Sequence, residues 1–243
     1  MDALKPQRNE PARMEKLAKL PVFWGLEGKR VVLAGGSDGA AWKAELLLAC
    51  GATVHVYCDK QDLSETFTTL IAKNPTLSFH DQSWHSGIFD NAELALADCE
   101  TDEEAKAFYS AARAAGIPVN VIDKPEFCQF QFGSIVNRSP VVVSISTDGA
   151  APILAQAIRR RIETLLPLAL KDWGALAQTI SYRVLLPLAP VPSRRSFWDK
   201  FVDRPFIERL DARSAERPLT SIATQHERAG PHLRRAKPGG ARP

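Results

Sequence analysis

The ten residues from Val31 to Ala40, VVLAGGSDGA, constrain this chain more than any other stretch. A short, almost wholly apolar run without polar alternation suits a parallel strand covered on both faces. Here Arg30–Ala34 breaks into Gly35 and Gly36 and leads into Ala40–Ala49 (AAWKAELLLA), a helix-suited run that Gly51 closes at its C-terminal end. Strand, glycine turn and helix in that order open a doubly wound α/β domain. Dinucleotide-binding members carry a G-x-G-x-x-G/A series there and an acidic residue about twenty positions on. In this chain the series reads Gly35, Ser37 and Ala40, with Gly36 and Gly39 as further small residues and Asp59 after the next strand. Two readings stay open, a cofactor site or only the scaffold of one, because doubly wound sheets serve many functions. Asp59 is equally a ribose-hydroxyl acceptor or a turn residue. Ser37 adds a β-carbon where a pyrophosphate would pass, and a hydroxyl that can donate to a phosphate oxygen.

The same alternation continues. Thr53–Tyr57, Leu77–His80, Leu94–Ala97 and Val119–Ile122 read as strands, and Leu63–Lys73 and Asp102–Ala115 as helices. Acidic residues open the second of these helices, as the helix dipole favours, and Gly116 ends it. After residue 125 the rhythm changes. Phe127–Val136 alternates apolar and polar residues, Pro140–Ser146 is strongly strand-forming, and Pro152–Leu166, Leu168–Leu186 and Ser196–Leu210 are helical. The expectation is an α/β chain: a doubly wound parallel sheet over 20–125, then a strand-containing region over 126–160 and a small helical domain over 161–211. A flexible leader over 1–19 and a basic Pro/Gly-rich disordered tail over 212–243 flank them.

Composition narrows the function. Basic and acidic residues nearly balance, 31 against 28, and no aromatic residues interleave the basic tail, which argues against a nucleic-acid partner. No apolar run reaches the length of a membrane span, and no apolar signal core follows the N-terminus. Cys50, Cys58, Cys99 and Cys128 stand far apart without a C-x-x-C pair. That pattern argues against a bound metal or a disulfide framework and fits the cytoplasm.

A second cluster carries sharper chemistry. Val119–Pro140 reads VNVIDKPEFCQFQFGSIVNRSP, and VVVSISTDGAAPILAQAIRRRIE follows it. Asp123 falls just past a parallel strand, where open α/β sheets bind their ligands, and is either a proton acceptor or a turn cap. Asn120 stands three residues before it. Thr147 sits in a turn that opens a helix, beside backbone N–H groups able to face an anion. Arg159, Arg160 and Arg161 fan around their helix and cannot all face one ligand.

These segments resemble the N-terminal module of siroheme synthase, the precorrin-2 dehydrogenase and sirohydrochlorin ferrochelatase family. The likeness runs from LPVFWGLEGKRVVLAGG at Leu20 through KAELLLACGATV, NVID and FGSIVNRSPVVVSISTDGAAPILA to RRSFWDKF at Arg194–Phe201. It implies a Rossmann-like domain, a dimerisation region and a small helical domain, assembled as a homodimer. It further implies oxidation of precorrin-2 to sirohydrochlorin with NAD, and insertion of ferrous iron, a substrate rather than a resident metal, to give siroheme. Asp123 matches the family's catalytic aspartate, and Asn120 and Thr147 match positions lining the tetrapyrrole site. Gly35, Gly36, Ser37, Asp38, Gly39, Asp59 and Lys60 fall on the cofactor side. Because the macrocycle carries many carboxylates, Arg138 is a candidate substrate contact.

The chain departs from the family's pattern on the cofactor side. Ser37 stands for a glycine, Gly39 and Trp42 stand where an aliphatic residue and an arginine are usual, and Ala97–Asp102 replaces an Ala-Ala-Thr-Asp-Asp run, with Ala105 for asparagine. Asp98 and Glu100 add negative charge there. The alternatives are therefore a chelatase-only or dehydrogenase-only member, or a non-catalytic tetrapyrrole-binding paralogue.

Overall fold

A computed structural model of the chain describes residues 15–185 and 191–216. It resolves into two compact units, one ending at Phe132 and the other starting at Gly133.

The first unit is a five-stranded parallel sheet in the order β3-β2-β1-β4-β5. The strands are β1 (Arg30–Ala34), β2 (Thr53–Cys58), β3 (Leu77–Asp81), β4 (Leu94–Ala97) and β5 (Val119–Val121). Helices α1 (Asp38–Ala49), α2 (Glu65–Lys73) and α3 (Asp102–Ala114) connect them. Strand side chains alternate between faces, and each face has its own core. Val31, Leu33, Val54, Val56 and Leu96 pack with Ala40, Ala44, Leu47 and Phe67 on the side of α1 and α2. Val32, Ala34, Ala95, Val119 and Val121 pack with Phe108 and Ala112 of α3 on the other. The order runs outward from β1 in one direction to β3 and in the other through β4 to β5. The switch point lies between β1 and β4, which pair directly.

Helix α1 starts at Asp38, two residues earlier than its apolar pattern indicates, because the Ser37 hydroxyl caps it by accepting from the Ala40 N–H at 3.2 Å. At the other end Gly51, at φ +81°, follows the Cys50 cap in a left-handed conformation. A capping box between Thr101 and Glu104 opens α3. Residues 126–132, assigned from sequence to the following region, stay with the first unit. The reason is packing: Phe130 and Phe132 sit against the α1-side core.

The second unit is built on an antiparallel hairpin of β6 (Ser134–Arg138) and β7 (Val141–Ile145). Helix α4 (Pro152–Leu165) runs continuously through the boundary expected at 160/161. After it come α5 (Leu170–Leu185), α6 (Val191–Phe201) and α7 (Arg204–Ile207). Trp173, Ile180, Phe197 and Phe201 form its aromatic core, and the Trp173 indole N–H donates to the Glu208 carbonyl at 3.2 Å. A last helical turn over 212–216 buries Ser214. Its start is fixed by Asp211, whose carboxylate accepts from the Ser214 N–H at 2.6 Å, so ordered chain continues past the point where a tail was expected. The leader up to residue 14 and the tail from 217 lie outside the described residues.

Candidate functional site

The carboxyl ends of β1, β2, β4 and β5 present Gly35, Asp59, Asp98 and Asp123 along one edge of the sheet. The glycine turn is tight for internal reasons. A β-carbon on Gly35, at φ +103°, would lie 2.8 Å from the Asp98 carbonyl oxygen, and one on Gly36 would lie 2.8 Å from the Asp62 carbonyl oxygen and 3.0 Å from the Cys58 sulfur. The smallness of both residues thus serves the approach of neighbouring loops. A β-carbon on Gly39 would meet nothing nearer than the Ser37 hydroxyl at 3.4 Å.

Beyond this turn α1 offers donors. The Ser37 hydroxyl takes the Ala40 N–H and the Ser37 carbonyl takes that of Ala41. The N–H groups of Asp38 and Gly39 lead the first turn and have no acceptor among the described residues, the arrangement that receives a phosphate at a helix N-terminus. Asp59 and Lys60 are exposed at the end of β2, and the Lys60 N–H donates to the Asp81 carboxylate at 2.8 Å. The donor set, with an exposed acid one strand away, fits a dinucleotide.

Asp123 lies two residues past β5, exposed, at φ +58°. Non-glycine residues seldom adopt that conformation, although aspartate tolerates it better than most. The loop that holds it is tied by one thiol. The Cys128 sulfur faces the Val121 carbonyl at 3.1 Å and the Lys124 carbonyl at 3.3 Å, and it accepts from the Asn120 side-chain amide at 3.2 Å. The same amide nitrogen donates to the Phe130 carbonyl at 2.8 Å. Asn120 is only 6% exposed, and its amide hydrogens are committed to the loop. Lys124, on the other side of Asp123, is hydrogen-bonded to Asp102, which holds its ammonium above the usual lysine range. Cys128 and Lys124 were not among the residues singled out from sequence.

Three thiols around this edge are poor nucleophiles at neutral pH. Burial, then Asp62, Asp59 and Asp81, pushes Cys58 up to about 11. Burial, then Glu104 and Asp98, pushes Cys99 up to about 11, and burial also raises Cys128. Lys43 of α1 is shifted the other way, lowered by burial and partly restored by Asp123 and Cys128.

The remaining expected residues belong to the second unit. Thr147 is half-buried in a turn where Asp148 and Gly149 both take positive φ, and its hydroxyl lies 3.5 Å from the Ala151 carbonyl. Helix α4 begins just beyond, with no side-chain cap at Ala151. Arg138 turns inward: its guanidinium donates to the carbonyls of Leu166 at 3.0 Å and Glu163 at 3.3 Å, closing the C-terminal end of α4. Arg159 pairs with Glu163 at 3.0 Å, one turn along. A groove of about 650 Å³ between α1 and α2, lined by Trp42, Leu48, Thr69 and Leu70, shares only Asp38 with the expected site. Among the described residues no group of three His, Cys, Asp or Glu side chains could hold a metal ion, and no helix is long and apolar enough to cross a membrane.

Fold and strand order together define a Rossmann-like α/β protein with its topological switch point between β1 and β4. A family described as "Putative NAD(P)-binding" matches residues 22–134, and one described as "Sirohaem biosynthesis protein central" matches 138–165. The siroheme synthase of Nitrosomonas europaea is 34% identical over 193 residues, 79% of this chain and 40% of that one. The siroheme synthase of Thiobacillus denitrificans is 37% identical over 181 residues, 74% of this chain and 37% of its own. The chain therefore spans about two-fifths of the length of these relatives. A solved structure titled "SirC, precorrin-2 dehydrogenase" shares the fold with a TM-score of 0.62 at 17% identity, covering 85% of this chain and 100% of that one. The chain is thus similar to siroheme synthases over most of its own length.

Proposed function

We propose that the chain oxidises precorrin-2 to sirohydrochlorin, with NAD as hydride acceptor and Asp123 as proton acceptor. The observation that carries this reading is the exposed Asp123 carboxylate, held past β5 in a left-handed turn by the Cys128 and Asn120 hydrogen bonds. Bound NAD would supply the electron-pair acceptor for the hydride leaving the macrocycle. The Asp38 and Gly39 N–H groups would hold its pyrophosphate and Asp59 a ribose hydroxyl. The exposed Asp123 carboxylate would take the proton that leaves as the ring is oxidised. Asn120 acts through the loop it fixes. Thr147, at the uncapped start of α4, is proposed to meet a macrocycle carboxylate, while Arg138 supports that helix from below.

Ferrous iron insertion is the second activity proposed, with Asp123 accepting the pyrrole N–H protons as the metal enters. A homodimer is proposed through the second unit, where Ile153, Leu165 and Leu168 leave 77%, 71% and 77% of their surface exposed. The cytoplasm is the proposed compartment, since all four cysteines are free thiols.

The test follows precorrin-2 absorbance with NAD⁺ for the wild-type chain and Asp123→Ala. The variant is expected to lose at least about a hundredfold in turnover while still binding NAD⁺ by fluorescence titration. Unchanged turnover in Asp123→Ala would remove the aspartate from the chemistry, and absence of NAD⁺ binding would remove the oxidative reaction. Cobalt or iron insertion into sirohydrochlorin without NAD⁺ tests chelation separately.

A further inference from the structure

Asp123 stands between two anchors that tie it to the exit of the neighbouring strand. On one side the Ile122 N–H donates to the Ala97 carbonyl at 2.8 Å, so the β4–β5 ladder runs on to the residue before Asp123. On the other side the Lys124 ammonium reaches the carboxylate of Asp102, the first residue of α3. Asp123 is the one residue between these anchors. The chain from Ala97 to Asp102 forms the opposite side of the same ring. It is fixed at its start, where the Asp98 N–H donates to the Ala34 carbonyl at 2.8 Å, and at its end by the Thr101–Glu104 capping box.

Lys124 is engaged at every polar group it has. Its N–H donates to the Val121 carbonyl at 3.2 Å, closing a four-residue turn with Asp123 in third place at φ +58°. Its carbonyl accepts from the Phe127 N–H at 3.0 Å and from the Cys128 thiol at 3.3 Å. These bonds stay within the segment from Val121 to Cys128 and set the shape of the turn. Of Lys124's own polar groups, only the ammonium leaves that segment. The Lys124 side chain is 18% exposed, so its covered stem gives the ammonium few directions to take.

We propose that Asp102 and Lys124 form a positioning pair for the Asp123 carboxylate, a role that rests on the precorrin-2 reading of the site. The pair sets where the turn stands relative to β4, and so where a proton acceptor meets a macrocycle bound beside the cofactor. It acts through Asp123 and exchanges no proton during turnover. Because the Asp102 side chain is 68% exposed, the pair adds little to stability. Its loss shows in the turn and in turnover rather than in unfolding.

The test has two arms, both on the full chain. In the first, amide hydrogen exchange is followed by NMR without substrate. The Lys124 N–H is expected to exchange about tenfold faster in Asp102→Asn than in the wild type, while Phe108 inside α3 is unchanged. Glu103→Gln is the control, since it removes an acid from the same first turn of α3 and leaves the pair in place. Wild-type exchange of Lys124 in Asp102→Asn, or equal acceleration in Glu103→Gln, overturns the proposal. In the second arm, kcat for precorrin-2 oxidation should fall about tenfold in Asp102→Asn and in Lys124→Met, with KM for NAD⁺ within about twofold. Lys124→Arg, and the exchange of charges in Asp102→Lys with Lys124→Glu, should each restore most of that loss. Wild-type turnover in Asp102→Asn, or no recovery in either restoring variant, overturns it. A wild-type chain that does not turn over precorrin-2 removes the functional reading instead, and the exchange arm then decides whether the pair holds the turn.

Discussion

If Gly35 and Gly36 are small because the protein itself approaches them, alanine at either position should destabilise the fold with no cofactor present. A β-carbon at Gly35 would sit 2.8 Å from the Asp98 carbonyl oxygen and 2.9 Å from its β-carbon, both fixed by the end of β4. Overpacking of that kind costs about 1–3 kcal/mol, and alanine in the left-handed region at φ +103° adds about 1–2 kcal/mol. Gly35→Ala should therefore cost about 2–5 kcal/mol, an apparent Tm lowered by roughly 5–15 °C for a chain of this size. Gly36→Ala meets the Asp62 carbonyl oxygen at 2.8 Å and the Leu63 Cα at 3.1 Å without a φ penalty, so about 1–3 kcal/mol is expected. Gly39→Ala is the control. Its nearest neighbours stand at 3.4 and 3.9 Å inside α1, and alanine there gains up to about 1 kcal/mol of helix propensity. Thermal denaturation by circular dichroism without NAD⁺ separates the three. Tm values for Gly35→Ala and Gly36→Ala matching that of Gly39→Ala would refute the packing explanation and return these glycines to the cofactor.

Ser37→Ala removes the cap of α1 and should cost about 1 kcal/mol, with Ser37→Gly much milder; a Tm untouched by Ser37→Ala would show that the hydroxyl is not the cap. The His55 and His80 rings, joined Nδ1 to Nε2 at 3.1 Å, predict an acid-sensitive edge of the sheet. Burial and then Arg30 lower both, so below the unfolded-state value of about 6.5 the unfolded chain binds more protons. Their contribution is whole above that pH and is lost as pH falls through the lowered folded-state values. The drop in Tm between pH 7.5 and 5.5 should be smaller in His80→Phe, which keeps a ring against Tyr57, and equal drops would refute the assignment.

Much of the first unit was legible because parallel strands buried on both faces leave a one-dimensional record. Val31–Ala34 and Leu94–Ala97 are apolar throughout, and both are central strands. The start of α1 lies two residues before its apolar pattern for a physical reason: Ser37, at the second glycine position of the phosphate turn, caps the helix with its hydroxyl. T-x-x-E at Thr101–Glu104 carried a legible capping box inside a run that otherwise registered only as added charge. Lys43 and Cys128 left no such trace. Lys43 meets Phe132 across 89 positions of chain, and Cys128 binds backbone carbonyls that any residue would supply. Arg138 had the right charge for a carboxylate ligand, but the helix end that takes up its donors is visible only once α4 packs on β6.

The two halves of the first-unit site carry unequal weight for function. Gly35 and Gly36 are accounted for by the Asp98, Asp62 and Cys58 atoms beside them, so a chain that never met a dinucleotide would still need them. The free Asp38 and Gly39 N–H groups add a little more, though every helix begins with such groups. Asp123 is different. Its side chain is exposed, and its backbone occupies a left-handed conformation that costs a non-glycine residue energy. Around it the chain commits a buried asparagine, a half-buried thiol hydrogen-bonded on three sides and a half-buried lysine. On the proposed reading, an exposed acid held in a left-handed turn is explained by what the acid does. Glycines at a strand end are explained by the strand next to them.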